Sequence, residues 1–337
     1  MNRRTLVVVA TILIIAVVGV YGTVQFLDYR ARLAAPSEVD TVVGAAPAGE
    51  GSTVMFRNTA SGTGYGHVAT VPVDDRGGSR AVATLTCDRI DATSTERVCL
   101  SIDRGVVTTF TATLYDIDGV EQSRWPLPGV PSRTRFSPDG RLVAFSAFIT
   151  GESYATVGFS IATRIESVDG DEVSADLEEF AFSVGGELVS SADRNFWGVS
   201  FTADSNVFYA TAASAGRTWL VRGDVAQRTL TAVRENAECP SLSPDDTRVA
   251  YKTRLDGAAA GHWAVAVLDL TTGVQTVLPE KRSVDDQVEW LDDSTVLYGL
   301  PRENAPGDSD IWMLPADGTG TPALAIEHAW SPAVQRE

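Results

Sequence analysis

Three histidines are the candidates for general-base chemistry in this sequence. They are the only histidines of the 337-residue chain: His67, His262 and His328. A serine hydrolase of the α/β type also needs a Gly-x-Ser-x-Gly turn to carry its nucleophile, and the sequence contains no such pentapeptide. A triad would have to be assembled from distant parts of the chain. We therefore expect no enzyme activity, and a hydrolase with scattered residues is the least favoured interpretation.

Short acidic and glycine-rich segments offer weak alternatives for metal or phosphate binding. Asp116-Ile-Asp118-Gly119 and Asp169-Gly170-Asp171 resemble fragments of calcium loops but lack the further ligands and the closing Glu. Hairpin turns use the same Asp-Gly residues. Gly62-Thr-Gly64-Tyr-Gly66 opens no helix that could hold a phosphate. With no Cys-x-x-Cys or His-x-x-x-His pair for zinc, we expect no metal and no cofactor.

The cysteines point to a disulfide rather than to a reactive thiol. Cys87 and Cys99 lie in two strand-like stretches joined by a short polar turn. Adjacent antiparallel strands bring such a pair within bridging distance, and an oxidising compartment would close the bond. Two reduced, buried thiols are the alternative. Cys239, which Pro240 follows, is predicted to be a small core residue.

A repeated hairpin organises most of the chain. The segment FSPDGRLVAF at 136–145 aligns without a gap to LSPDDTRVAY at 242–251, and degenerate copies begin at Phe201 and Trp290. Pro-Asp-Gly makes the turn between two alternating strands, and two more strands follow each hairpin. Four strands in every 40–50 residues are the signature of a propeller blade. The equivalent turn residues are Asp139, Asp204, Asp245 and Asp293.

The two ends of the repeat region complete one blade. Ala329-Trp330-Ser331-Pro332 begins a unit and then stops, whereas Thr53–Thr59 looks like the second strand of a unit whose first strand is missing. A C-terminal strand that closes the ring removes exposed sheet edges. The sequence therefore predicts an all-β, six-bladed β-propeller over 53–337. Five or seven blades are alternatives, because the first two blades lack the Asp-Gly hairpin.

The predicted blades follow from the spacing of the repeats. An acidic insertion at 166–187 is assigned to the third blade to explain its length. The blades cover 53–83 with 329–332, 85–128, 132–190, 195–234, 238–279 and 286–326.

An apolar segment precedes the repeats. The 19 residues from Leu6 to Val24 would span roughly 28 Å as a helix, close to the hydrocarbon thickness of a bilayer. Arg3 and Arg4 favour an N-terminus on the cytoplasmic side. Residues 1–27 are predicted to be a signal anchor, and 28–52, rich in Ala, Gly, Pro and Ser, a flexible linker. We expect a single-pass protein of the cell membrane with an extracytoplasmic propeller. Secretion after signal cleavage is the alternative.

The charge of the chain excludes one class of partner. Its formal net charge is −17, from 44 acidic and 27 basic residues. Nucleic-acid binding needs clustered Lys and Arg, so we expect no nucleic-acid partner. Anionic lipid headgroups would also repel the protein, which leaves the apolar segment as its contact with a membrane.

The repeats resemble those of TolB-like propellers. The segment at 136–145 and Asp310-Ile-Trp-Met-Leu with Asp317-Gly318 carry the resemblance, which covers 53–337. Actinobacterial TolB-like translocation proteins with one N-terminal apolar segment are similar over the whole chain. The resemblance implies a six-bladed propeller in the bacterial cell envelope. The sequence departs from TolB in its apolar segment and in having no separate N-terminal α/β domain.

Polar residues at the start of each innermost strand are the candidate binding site. The aligned repeats place them at one mouth of the central channel. They form either a recognition ring with an aromatic platform or a set of inter-blade salt bridges around a water-filled channel. The residues are Arg133, Arg135, Trp197, Glu238, Asp286, Gln287, Glu327 and His328.

These observations favour an interaction protein. We expect a non-enzymatic, membrane-anchored module or scaffold that presents a propeller face to a cell-envelope protein partner. The alternative is a sensor that binds a small molecule, peptide or cell-wall glycan at the channel mouth, with Trp197 stacking on the ligand. The sequence names neither the partner nor the ligand.

Overall fold

The computed structural model describes residues 3–44, 51–149, 160–170 and 173–336. Within these ranges α1 (Arg3–Ala34) is the only α-helix. None of its residues is buried, and its most apolar stretch has a mean hydropathy of 2.6, so it is long and apolar enough to cross a membrane. The helix continues seven residues beyond the predicted end at residue 27. Pro36 disfavours a helical conformation for the residue before it, and the helix ends there.

The strands of the described residues form six sheets arranged as blades. Blades 1 to 3 are built in chain order. Blade 1 contains β1 (Thr41–Val43), β2 (Thr53–Asn58), β3 (His67–Pro72) and β4 (Arg80–Thr86). Blade 2 contains β5 (Arg89–Ala92), β6 (Glu96–Arg104), β7 (Thr108–Asp116) and β8 (Glu121–Pro126). Blade 3 contains β9 (Gly129–Phe136), β10 (Leu142–Ile149), β11 (Ser160–Ser167) and β12 (Ser174–Asp176).

A short 3-10 helix, Leu177–Glu179, leads into blades 4 to 6. Blade 4 contains β13 (Ala181–Val184), β14 (Glu187–Leu188), β15 (Asn195–Phe201), β16 (Val207–Ser214), β17 (Arg217–Asp224) and β18 (Thr229–Glu235). Blade 5 contains β19 (Glu238–Leu242), β20 (Arg248–Thr253), β21 (Ala264–Asp269) and β22 (Gln275–Val277). Blade 6 contains β23 (Glu289–Asp292), β24 (Thr295–Pro301), β25 (Ser309–Pro315) and β26 (Ala323–Ile326). The last strand, β27 (Ala329–Gln335), joins blade 1.

The C-terminal strand closes the ring as predicted. β27 pairs antiparallel with β2, from Thr53 opposite Gln335 to Asn58 opposite Ala329. Blade 1 is therefore built from both ends of the propeller, and the edge of β2 is covered. The prediction of an all-β, six-bladed propeller is confirmed, and the alternatives of five or seven blades are wrong.

The apolar core lies in the seams between adjacent blades. The seam between blades 3 and 4 is rich in aromatic rings, with Phe182 against Phe196 and Trp219 at centroid distances of 5.8 Å. The seam between blades 1 and 2 is small and contains the disulfide Cys87–Cys99. The predicted disulfide is confirmed. Closing a loop of this length contributes about 3 kcal/mol in the chain-entropy model, in a seam with little apolar surface of its own.

The acidic insertion belongs to two blades, not to the third alone. In this segment, Glu166 and Ser167 end β11 and pair with β10, and β12 pairs on the outer side of β11, so only these parts belong to blade 3. β13 pairs in parallel with β18, the outer strand of blade 4, and β14 extends the same sheet. The predicted boundary of blade 3 at residue 190 is therefore wrong. The insertion satisfies backbone groups that the outer edge of blade 4 would otherwise expose.

The predicted flexible linker is largely ordered in its described part. Residues 28–34 form the last turns of α1, and β1 pairs in parallel with β4, Val42 opposite Ala81. The backbone NH of Arg80 donates to the carbonyl of Asp40 at 3.0 Å. Residues 45–50 lie outside the described ranges. β1 was not predicted, because composition alone does not show that the outer edge of β4 accepts an additional strand.

The repeated aspartates are turn residues. Asp139 accepts hydrogen bonds from the Ser137 hydroxyl at 2.6 Å and from the backbone NH of Arg141 at 3.1 Å. Asp204 and Asp245 bond in the same way within their turns. In blade 6 this role falls to Asp292 and not to the predicted Asp293, since Asp292 accepts from the Ser294 NH at 2.7 Å. The register shift in β23 moves the turn by one residue.

Candidate functional site

Six innermost strands surround the propeller axis and contact one another in order around the ring. All of them run in the same direction along the channel. We call the end where they start the upper mouth, and the end where they turn into the second strands the lower mouth. In ring order the strands are β27, β5, β9, β15, β19 and β23.

A buried carboxylate holds two guanidinium groups in the channel. Asp286 lies 3.0 Å from Arg89 and 3.1 Å from Arg133, and its side chain is 2% exposed. The structure thus brings together Arg133 and Asp286, which the repeats predicted. It adds Arg89, which sequence analysis missed. Blade 2 has no Asp-Gly hairpin to set the alignment, so its inner-strand residues were not assigned to the channel.

A second ion-pair layer lies nearer the lower mouth. Arg135 contacts Glu289 at 2.6 Å and Asp91 at 3.9 Å. Arg336 lies 3.8 Å from Glu289 and donates to the carbonyl of Trp290. Burial raises the pKa of Asp91 to about 6, and Glu289 adds to this effect, whereas Arg135 opposes it.

These two layers leave little space between them on this side of the channel. The cavity among Arg89, Arg133 and Asp286 has a volume of 10 Å³, room for no more than about one water. Gln287 is also buried in the channel wall, where its amide donates to the carbonyl of Pro240 at 2.9 Å and joins blades 5 and 6. Arg133, Arg135 and Asp286 therefore make ion pairs across the channel, Gln287 joins two adjacent blades, and the four residues do not form an open ring.

Glu238 belongs to a charge cluster at the upper mouth. It lies opposite Lys252 in the ladder between β19 and β20, and Lys252 contacts Asp285 at 2.6 Å. Burial raises the pKa of Glu238 above its ordinary value, although the nearby Lys252 and Arg254 act in the opposite direction. Both cations also lie over the Trp263 ring, at 4.7 and 4.3 Å from its centroid. This mouth thus carries paired charges of both signs.

Trp197 does not provide the predicted aromatic platform. The residue is 4% exposed and packs against Ile161, Ala213 and Cys239. It has no free face on which a sugar or peptide could stack. Its position at the start of an inner strand was predicted correctly, but the side chain points into the seam between blades. The same cluster confirms Cys239 as a small core residue.

Glu327 and His328 lie at the closure of the ring, away from the channel ion pairs. His328 is 2.9 Å from Asp308, and its backbone NH donates to Asp310. Glu327 is half-exposed and lies 3.5 Å from Arg302. Burial opposes ionisation of Asp308, but hydrogen bonds from His328 and Thr59 outweigh it and hold the pKa of Asp308 below its ordinary value. This closure cluster joins blades 1 and 6.

One group in the described ranges has the geometry to hold a metal ion. Ligand atoms of Glu38, Asp308 and His328 lie within 4.8 Å of one another. Arg302 is 3.7 Å from Asp308, and Arg80 donates to the carbonyls of residues 327 and 328. These two guanidinium groups supply the positive charge that a metal would bring. The Asp169-Gly170-Asp171 segment lies partly outside the described residues, because Asp171 is not among them.

An open cavity of 410 Å³ lies at the lower mouth. Its walls are the turns between the first and second strands of blades 2 to 5, together with β23 and the end of β27. Sequence analysis placed the candidate site at the other mouth and missed this one. The sequence did contain a feature that marks this mouth, because the Ser-Pro pairs of the repeat form part of the rim of the cavity. The charged lining residues are Asp91, Arg135, Asp246, Glu289 and Arg336.

No protein-family model matches the sequence, and no curated protein is similar to it in sequence. Among solved structures, TolB from Acinetobacter baumannii superposes with a TM-score of 0.59 at 17% identity, over 85% of this chain and 67% of TolB. A chain of the nidogen–laminin complex superposes with a TM-score of 0.55 at 10% identity, over 84% of this chain and 98% of that one. The chain has the TolB-like propeller fold.

One of the similar solved structures is an enzyme. A puromycin-hydrolyzing peptidase of Mycobacterium tuberculosis superposes with a TM-score of 0.50 at 13% identity, over 87% of this chain. The match spans 47% of the peptidase, about half of that enzyme's length. At these identities the comparisons show the fold alone, and function has to be argued from the residues of the site.

Replacing Asp91 with Asn is expected to remove a fall in stability of the TolB-like propeller between about pH 4 and pH 6. Because the pKa of Asp91 is raised to about 6, the folded state binds more protons than the unfolded state in this range. The free energy of unfolding of the wild type therefore decreases as pH rises, by up to about 3 kcal/mol. Urea denaturation of both proteins across this range measures the difference. If the free energies of unfolding of the wild type and of Asp91→Asn changed with pH in the same way, the raised pKa of Asp91 would be contradicted.

Proposed function

We propose that this protein is a single-pass, extracytoplasmic interaction module of the cell envelope that binds a protein partner at its lower mouth. The observation that carries the proposal is the contrast within the channel. Its middle is closed by paired charges, whereas the lower mouth keeps a 410 Å³ cavity with charged groups in its wall. The 10 Å³ space among Arg89, Arg133 and Asp286 leaves no room for a substrate there.

The N-terminal segment and the disulfide support the proposed location. α1 is apolar over a membrane-spanning length, and Arg3 and Arg4 precede its apolar residues. Their positive charge favours the cytoplasmic side. The Cys87–Cys99 bond is typical of an oxidising, extracytoplasmic compartment.

The positions of the histidines favour binding over catalysis. The Nδ1 atom of His67 contacts the carbonyl of Ala83 at 2.8 Å, in the ladder between two strands. His328 is paired with Asp308 in the closure cluster, and the His262 backbone NH donates to Ala259 in an upper loop. None of the three lines the lower-mouth cavity. We therefore propose that the protein is not an enzyme.

The cavity volume favours one alternative, a sensor for a small molecule, peptide or cell-wall glycan. Ligand pockets have volumes of roughly 300–1,000 Å³, and the lower-mouth cavity falls in this range. Saturable binding of a cell-wall fragment to the protein, lost when the cavity is filled by Ser94→Trp, would support this alternative.

A photo-crosslinking amino acid at Ser94, on the lower rim, is expected to capture one partner protein in intact cells. The same probe at Thr231, exposed on an outer strand of blade 4, is the matched control and should capture none. Arg336→Glu reverses a charge at the mouth and should reduce the Ser94 adduct about tenfold or more, while Arg336→Lys should retain it. Equal adducts from Ser94 and Thr231, or an adduct that Arg336→Glu leaves unchanged, would overturn the proposal.

A further inference from the structure

The last turn of α1 is docked on the propeller. Arg32 donates to the Tyr65 hydroxyl at 3.1 Å, and its guanidinium lies over the Tyr65 ring at 5.1 Å. It also donates to the carbonyl of Pro306. Tyr29 meets Tyr65 edge to face at 6.2 Å, and the Gly62 NH donates to the Arg32 carbonyl at 2.9 Å. The helix end is thus held by several independent contacts.

Both contacted loops belong to the upper face. Residues 59–66 join the second and third strands of blade 1, and residues 302–308 join the corresponding strands of blade 6. Such loops lie at the end where the innermost strands begin, that is, at the upper mouth. The Tyr65 hydroxyl donates to the carbonyl of Gly307 at 3.0 Å, so the two loops form one platform.

The chain that follows the helix is also held against the propeller. Glu38 lies 3.5 Å from His328 in the closure cluster, and the next residues lead directly into β1 beside β4. A flexible linker over 28–52 would hold its ends roughly 25–30 Å apart. The observed contacts instead place the propeller immediately at the end of the apolar helix.

The helical rise sets the distance between the platform and a bilayer. Leu27 is the last residue before Asp28, which is the first charged residue after the apolar segment. Arg32 lies five residues after Leu27. At 1.5 Å per residue this is about 7.5 Å along the helix. The headgroup region on one side of a bilayer is about 5–7.5 Å thick. The loops that contact Arg32 therefore reach the outer surface of the headgroups.

We propose that the upper face of the propeller rests on the surface of the lipid bilayer, so that the lower mouth is the face turned toward partners. The proposal rests on the proposed membrane anchoring. Tyr29 and Tyr65 have the amphipathic rings that favour the membrane interface. The net charge of −17 gives no attraction to anionic lipid, so the docked helix is the part that brings this face to the membrane.

Fluorescence quenching in vesicles tests this orientation. The full-length protein is reconstituted in phosphatidylcholine vesicles that contain a lipid with a nitroxide headgroup. A fluorophore is attached at Thr63→Cys on the upper face or at Thr272→Cys on the lower face, two exposed threonines. Cys87 and Cys99 are bonded and Cys239 is buried, so the introduced thiol is the one labelled.

Quenching at residue 63 is expected to exceed quenching at residue 272 at least threefold, and Arg32→Ala with Tyr65→Ala should reduce the difference. Equal quenching at the two sites would overturn the orientation while leaving the anchor intact, because flotation with the vesicles reports the anchor separately. A protein that does not float with the vesicles would overturn the proposed anchoring, and the orientation with it.

Discussion

Asp286→Ala is expected to lower the free energy of unfolding of the propeller by about 3–5 kcal/mol. The substitution leaves the side chains of Arg89 and Arg133, which are 16% and 11% exposed, without the carboxylate that both of them contact. Burial already lowers the pKa of Arg89, which shows the cost of its charge at this position. Urea denaturation followed by circular dichroism measures the change in the midpoint.

Two comparisons separate the cost of leaving a charge without a partner from the cost of losing the ion-pair contact itself. Glu121→Ala removes one partner of an exposed ion pair with Arg124 and should leave the free energy of unfolding nearly unchanged, because solvent screens such a pair. Replacing the whole group with apolar residues, Arg89→Met, Arg133→Met and Asp286→Leu together, should destabilise the protein less than Asp286→Ala alone. A triple variant that is less stable than Asp286→Ala would contradict the explanation by buried charge.

Truncation after His328 is expected to abolish the folded propeller. It removes β27, whose Ala333 and Val334 are buried and which pairs with β2 along its length. The innermost strand of blade 1 is lost, and β2 becomes an exposed edge. Net stabilities of proteins are roughly 5–15 kcal/mol, and the loss of a whole innermost strand is expected to exceed this margin. Circular dichroism and size-exclusion chromatography measure the folded monomer.

A shorter truncation is the matched control. Removal of residues 336–337 leaves β27 intact and should lower stability by no more than about 1 kcal/mol, through the loss of the Arg336 contacts with Glu289 and Trp290. A synthetic peptide of residues 329–336 should restore a folded complex with the longer truncation. A stable monomer without β27 would show that ring closure is not required for folding.

The repeat made much of the fold predictable from sequence. Ser-Pro-Asp turns in two copies set the register of their hairpins, and the spacing of the copies set the number of blades. The incomplete units at the two ends indicated that β27 closes on β2. The prediction was less accurate where the repeat degenerates, as at Asp292 and in the acidic insertion, because a one-residue shift or an added edge strand leaves no periodic trace.

The candidate site was predictable only in part. Arg133, Arg135, Asp286 and Gln287 were assigned to the channel from their repeat positions, and they do lie there. Their partners Arg89 and Glu289 come from other blades, and no local pattern pairs them. Trp197 has the predicted strand position, but the packing of Ile161 and Cys239 around it determines its burial.

The sequence by itself determined the apolar helix and the hairpin repeat, and it favoured a closed six-bladed ring and the disulfide, since these depend on residues that are close in sequence or on a period along the chain. Only the tertiary structure decided which charges meet across the channel, which residues line the lower-mouth cavity and where the helix docks. These features join residues of different blades, and they depend on how the blades are placed around the axis, which local composition and periodicity do not encode.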